Sequence, residues 1–154
     1  MSERDSGCPL CRDDAGAALW RGSQLRVIEV DEPDYPGFTR VIWNHHLSEM
    51  TDLPPQEREL LMRAVFAVEQ AQRDVLAPDK INVASLGNMV PHLHWHVVPR
   101  WRGDRHFPDA IWAPPRLAPG AEPPEWHDRQ ARVRQLLPRY RSRLVDAMNA
   151  LSKQ

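Results

Sequence analysis

Three histidines stand at every second position of Pro91-His92-Leu93-His94-Trp95-His96-Val97-Val98-Pro99. In an extended chain alternate side chains leave on one face, so His92, His94 and His96 line one side, about 7 Å between neighbours, and Leu93, Trp95 and Val97 line the other. Each imidazole needs hydrogen-bond partners when buried, which makes three in a row a poor packing device. Two chemistries suit such a row. Alternating histidines bind a metal through two or three nitrogens, or one of them is a nucleophile while the others position phosphate oxygens. Spacing leaves both open. A second cluster is Cys8-Pro9-Leu10-Cys11, the only cysteines in the chain. A two-residue spacer serves metal knuckles and redox pairs alike, but this pair precedes the first expected strand instead of opening a helix after one, unlike a thioredoxin-type site.

The elements that position these residues follow from periodicity. Gln24 to Val30 and Phe38 to Trp43 read as strands, joined through the turn-rich Asp31-Glu32-Pro33-Asp34-Tyr35-Pro36-Gly37. With Thr51 or Asp52 as N-cap, Leu61, Ala64, Val65, Val68, Ala71 and Val75 recur at helical spacing, predicting one long helix from about Pro55 to Leu76. Lys80 to Leu86 reads as a strand, followed by a tight segment at Gly87-Asn88 and the histidine strand. Residues 101–124 lack periodicity, are rich in proline and tryptophan, and read as an ordered excursion able to cover a site. From 125 to 151, Trp126, Val133, Leu137, Tyr140, Leu144 and Met148 share a helical stripe that Pro138 is expected to kink or divide.

A length of 154 residues suits a single domain, spanning 1–154 with a core at about 8–100. Twenty basic against twenty-one acidic residues give no broad footprint for extended nucleic acid or an anionic membrane, so a small partner is expected. No apolar run approaches a membrane span, and the first residues lack a signal-peptide plan, so a cytoplasmic location is expected. The arginines between Arg129 and Arg143 read as a solvated helix face, and His106 as a surface-loop histidine outside the catalytic set.

The run His92-Leu93-His94-Trp95-His96-Val97-Val98 fills every position of the pattern His-φ-His-φ-His-φ-φ, φ being apolar. With Asn82, Gly87-Asn88, Tyr35-Pro36-Gly37-Phe38, His46 and Asp52-Leu53, it resembles the histidine triad (HIT) family, bacterial branch, over roughly residues 8 to 100. The resemblance implies an α+β fold with an antiparallel sheet of about five strands, one long helix and a C-terminal helix, and a homodimer that joins two sheets. It implies a nucleotide hydrolase or nucleotidyl transferase acting at an α-phosphate, on dinucleoside polyphosphates, nucleoside phosphoramidates or adenylylated small molecules. A metal-dependent hydrolase with the strand histidines as catalytic ligands, and a nucleotide-binding protein with little turnover, are the alternatives.

Residue by residue, the resemblance makes His94 the nucleophile that forms a nucleotidyl-histidine, held in the right tautomer by a backbone carbonyl from a neighbouring strand, and His96 a donor to a phosphate oxygen. His92 belongs to the same catalytic strand. Asn88 stands where the family usually has glutamine, keeping an amide for a leaving-group oxygen on a shorter side chain; Met89 stands where some branches carry a hydroxyl. Asn82 and Asp31 are the substrate-binding candidates, near the phosphates and the ribose. The resemblance also pairs Cys8 and Cys11 with His46 and His92 around a structural zinc, with His45 turned elsewhere and no organic cofactor. Asp104, Pro108 and Trp112 resemble a segment that follows the histidines in a bacterial subgroup.

Overall fold

The computed structural model describes residues 4–13 and 15–153. Five antiparallel strands, β1 (Ala17–Arg21), β2 (Leu25–Glu29), β3 (Thr39–Trp43), β4 (Lys80–Ala84) and β5 (His94–Arg100), form one sheet in the order β1-β2-β3-β5-β4. A short turn of helix, α1 (Pro9–Arg12), precedes them; α2 (Pro55–Leu76) connects β3 to β4, and α3 (Pro124–Leu151) follows β5. The α+β architecture expected from sequence is present.

The pleat sorts residues between two faces. Val27, Val41, Trp43 and Val97 point to one side and join Leu61, Ala64, Val65 and Val68 of α2 and Tyr140 and Leu144 of α3 in the main core. Isolated helices are marginal in water, so this burial, worth about 1.5–3 kcal/mol per large apolar side chain, holds α2 and α3 in place. Two buried polar residues fix their register on the sheet. Gln72 Nε2 donates to the carbonyls of Gly37 and Val97 at 3.0 Å each, and the hydroxyls of Thr39 and Tyr140 lie 2.6 Å apart. Gly37 has φ +87°, and a Cβ there would stand 2.5 Å from Leu76 Cδ1. Only glycine suits that turn.

The other face carries Ile28, Ile42, Arg40, His94, His96 and Val98, as the pairings Ile28 with Arg40, Ile42 with His94 and Arg40 with His96 require. Neither α2 nor α3 packs on this face. The N-terminal segment lies over part of it, where Leu10 packs with Ile28 and Ile42 and Arg26 Nη2 donates to the Leu10 carbonyl at 2.5 Å.

Several expectations are corrected. The N-cap of α2 is Pro54, not Thr51 or Asp52, which lie around a separate 3-10 turn at Met50–Asp52. α3 runs through Pro138 without dividing, because that ring sits on an exposed side of the helix. β1 was not expected at all. The histidine strand begins at His94: the His92 N–H donates to the Val90 carbonyl at 2.8 Å, a tight turn centred on Pro91 that swings His92 off the strand. Among the described residues, no helix is long and apolar enough to cross a membrane.

Candidate active site and metal centre

The turn at Pro91 splits the three histidines into two chemical environments. His92 faces the N-terminal segment. Its Nε2–H donates to the Trp43 carbonyl at 2.6 Å, which leaves the Nδ1 lone pair 3.5 Å from Cys8 Sγ and 3.4 Å from Cys11 Sγ. His46 Nδ1 lies 3.4 Å from Cys11 Sγ, and the four ligand atoms fall within 4.8 Å of one another. Metal bonds of about 2.3 Å to sulfur and 2.0 Å to nitrogen at tetrahedral angles would separate sulfur from nitrogen by about 3.5 Å. The Cys₂His₂ group therefore has the spacing of a closed metal site, with a carbonyl orienting one imidazole. Desolvation raises the Cys11 thiol above its ordinary range, a Cys8 contact adding to the effect, so a thiolate here calls for a cation. His45 is exposed and outside the group.

His94 and His96 stay on the open sheet face with ring centroids 4.8 Å apart. His94 Nδ1 lies 2.5 Å from the His92 carbonyl. A carbonyl only accepts, so Nδ1 carries the proton and Nε2 presents a lone pair. The carbonyl comes from two residues earlier in the same chain segment, correcting the expected donation from a neighbouring strand. Desolvation holds His94 below the ordinary histidine range, with the nearby Arg40 charge adding to it. Desolvation, then His94 and Arg40, bring His96 down to about 3. Both imidazoles are neutral at pH 7, which leaves His94 the lone pair that attack requires and His96 one N–H to donate.

That shift has a measurable consequence for stability. With its folded pKa below its unfolded one, His96 binds its proton first in the unfolded chain, so its contribution is complete above about 6.5 and is lost as pH falls toward about 3. The slope is at most about 1.4 kcal/mol per pH unit. The urea midpoint of the wild type is expected to drop between about pH 7.5 and about pH 5, and to drop less in His96→Asn; equal drops would contradict the assignment.

The non-periodic excursion after β5 closes one side of the site. Trp112, 47% exposed, sets its ring 5.0 Å from that of His96, and Phe38 lies 5.8 Å away. Buried Asp104 ties the excursion to the sheet. It accepts from Arg100 Nε at 2.8 Å and Nη2 at 3.0 Å and from the backbone N–H groups of Trp101, His106 and Phe107 at 3.2, 3.0 and 2.8 Å. Burial opposes its ionisation, yet the Arg100 and His106 hydrogen bonds outweigh burial and hold the carboxyl below its ordinary range. Arg100 Nη1 donates to Asn82 Oδ1 at 2.7 Å, and Asn82 pairs with Val98, which places it on the histidine face.

The remaining candidates are less gathered. Asn88 and Met89 are exposed in the β4–β5 loop, and Asn88 makes no hydrogen bond to a described residue. Asp31 is exposed at the end of β2, beside Glu29, Arg134 and Arg141 around a cleft of about 590 Å³, and no hydrogen bond joins it to the histidines. Arg40 and Arg100 were not among the site residues expected from sequence, and Tyr35 and Phe38 entered only as part of the resemblance, without a role. Period-2 alternation places Phe38 and Arg40 on the face of Ile42, but only the pairing of β3 with β5 shows that this is the histidine face.

The HIT domain family model matches residues 20–103. The chain is 31% identical over 105 residues to the AP-4-A phosphorylase of Mycobacterium tuberculosis (strain ATCC 25618 / H37Rv), covering 64% of this chain and 54% of that protein. It is 29% identical over 104 residues to the asymmetrical bis(5'-nucleosyl)-tetraphosphatase of Schizosaccharomyces pombe, covering 64% and 57%. The chain thus spans little more than half the length of these relatives. Among solved structures, a histidine triad protein of Marinobacter aquaeolei VT8 superposes with TM-score 0.63 at 26% identity, covering 85% of this chain and 92% of that one. A histidine triad protein of Bradyrhizobium japonicum does so with TM-score 0.61 at 26% identity, covering 80% and 92%. With the family model covering more than half of it and the histidine run laid out on a five-stranded sheet, the chain belongs to the HIT domain family.

Proposed function

We propose that this protein is a nucleotide hydrolase or nucleotidyl transferase that attacks an α-phosphorus with His94, on dinucleoside polyphosphates first among the candidate substrates. The observation that carries the reading is the His94 Nδ1–H bond to the His92 carbonyl, which leaves Nε2 as a lone pair on the open sheet face. The relatives named for AP-4-A and for a bis(5'-nucleosyl) tetraphosphate support the substrate class. In the first step a bond forms between Nε2 and the α-phosphorus while the bond from phosphorus to the bridging oxygen breaks, and the rest of the polyphosphate leaves. In the second, water or inorganic phosphate attacks the nucleotidyl-histidine and the Nε2–P bond breaks. His96 donates to a phosphate oxygen, Asn88 supplies an amide to the leaving group, Asn82 supports the phosphate side, and Asp31 accepts from the ribose.

The metal-hydrolase alternative is disfavoured by where the histidines go. His92 turns to the cysteines, whereas His94 and His96 form no metal cluster among the described residues. The product pattern tests the favoured reading. Diadenosine tetraphosphate is expected to give ATP and AMP in water, and ATP and ADP when inorganic phosphate competes. ADP alone would put cleavage between the central phosphates and overturn it, and binding without products would leave a nucleotide-binding protein.

Zinc is the proposed occupant of the Cys₂His₂ group, with a structural role, since the four ligands close the tetrahedron and leave no open position. Bound there, it would tie residues 8–11 to the sheet. Protein purified without chelator is expected to hold zinc, and Cys8→Ser to lose it together with several kcal/mol, about the scale of a structural metal site. Native protein free of zinc would contradict this. A homodimer is proposed through the free edge of β4, where Val83 is 39% and the following Leu86 51% exposed. A monomer in sedimentation at micromolar concentration would rule it out.

A further inference from the structure

Arg40 sits directly across from His96 in the β3–β5 register. Its Nε–H donates to His96 Nδ1 at 3.3 Å, and its guanidinium lies 5.7 Å from the Phe38 ring centre. Other arginines of the chain meet carboxylates: Arg100 pairs with Asp104, Arg105 with Asp34, Arg129 with Asp79 and Arg141 with Glu29. Arg40 has none among the described residues, and its two Nη groups donate to nothing there. It is also half-buried, and desolvation lowers its pKa. A partly dehydrated cation without a counter-charge costs free energy that an anion seated beside it would offset.

The Nε–H donation has a second effect. It obliges His96 Nδ1 to be the acceptor, so the neutral ring carries its proton on Nε2, which has no partner among the described residues. His94 has the opposite arrangement, with its proton on Nδ1. Adjacent rings are thereby set as one lone pair and one donor. Were His96 free to choose its tautomer, the Nδ1–H form would turn a lone pair toward a phosphate oxygen and repel it.

We propose that Arg40 is a phosphate-binding and positioning residue: its Nε–H locks His96 as the Nε2–H donor, and its Nη groups hold an oxygen of the nucleotide's α-phosphate. This rests on the reading that His94 and His96 receive that phosphate. The test uses Arg40→Leu and Arg40→Lys with two readouts that need no turnover, calorimetric binding of AMP and of adenosine, and ¹⁵N resonances of the His96 ring. Arg40→Leu is expected to weaken AMP binding by about tenfold or more, the scale of a charge-assisted hydrogen bond, and to leave adenosine binding as in the wild type. It is also expected to move proton density from Nε2 to Nδ1 of His96. Arg40→Lys should recover part of the AMP affinity through its charge but not the tautomer, and it carries both readouts should the leucine variant fail to fold. Unchanged AMP affinity, equal losses for AMP and adenosine, or no AMP binding to the wild type overturns the phosphate role; an unshifted His96 tautomer overturns the positioning role. Failure of the nucleophile reading shows separately, as absence of a covalent adduct in a wild type whose AMP affinity still depends on Arg40.

Discussion

Turnover of a dinucleoside polyphosphate is expected to fall by about 10⁴-fold or more in His94→Ala, with the fold intact. His94 is 7% exposed, and its side chain hydrogen-bonds, among the described residues, to the His92 carbonyl alone, so truncation removes the proposed nucleophile and one local contact. Replacing His96 with alanine should cost less, about 10²–10³-fold, because it deletes one donor to the developing charge while the attacking atom remains. Single-turnover rates with labelled substrate compare the two directly. A His94→Ala rate within tenfold of the wild type, at unchanged melting temperature, would contradict the assignment.

The second large effect is on stability. Asp104→Ala is expected to cost about 3–5 kcal/mol, because it leaves the Arg100 charge buried without its partner. Arg100 is 1% and Asp104 3% exposed, and three backbone N–H groups lose their acceptor in the same change. The loss should concentrate in the excursion after β5, loosening Trp112 from His96 and Tyr35 from His106, whose Oη and Nδ1 lie 2.5 Å apart. Asp104→Asn keeps the shape and should recover part of the loss. Urea unfolding gives the total, and limited proteolysis after residue 101 gives the location. A cost below about 1 kcal/mol would show that Arg100 finds another partner.

What could be read from sequence divides along physical lines. The α2 helix was legible because Leu61, Ala64, Val65 and Val68 repeat at 3.6-residue spacing and are all fully buried. β1 was not, since it is an edge strand, mostly exposed and irregular between Ala18 and Trp20, so its sequence carries little alternation. The alternation of His94 and His96 was legible, but the departure of His92 depends on a turn at Pro91 and on the Trp43 carbonyl, which no local period announces. Cys8, Cys11, His46 and His92 lie too far apart in sequence for spacing to join them, and the family resemblance supplied that grouping. Arg40 was missed, and Asp104 was marked only by resemblance and without a role, for a shared reason. Their partners are set by strand register and by a loop without period, and neither leaves a pattern along the chain.

The most direct test of the central claim is capture of the intermediate. Diadenosine polyphosphate labelled at the α-phosphorus is mixed with protein, quenched on the timescale of one turnover, and the denatured protein is examined for attached label. Wild type is expected to carry an acid-labile nucleotidyl group mapping to the peptide that contains His94, and His94→Ala to carry none. A wild type that releases products without ever holding the label, or a His94→Ala protein that holds it equally, would contradict the account.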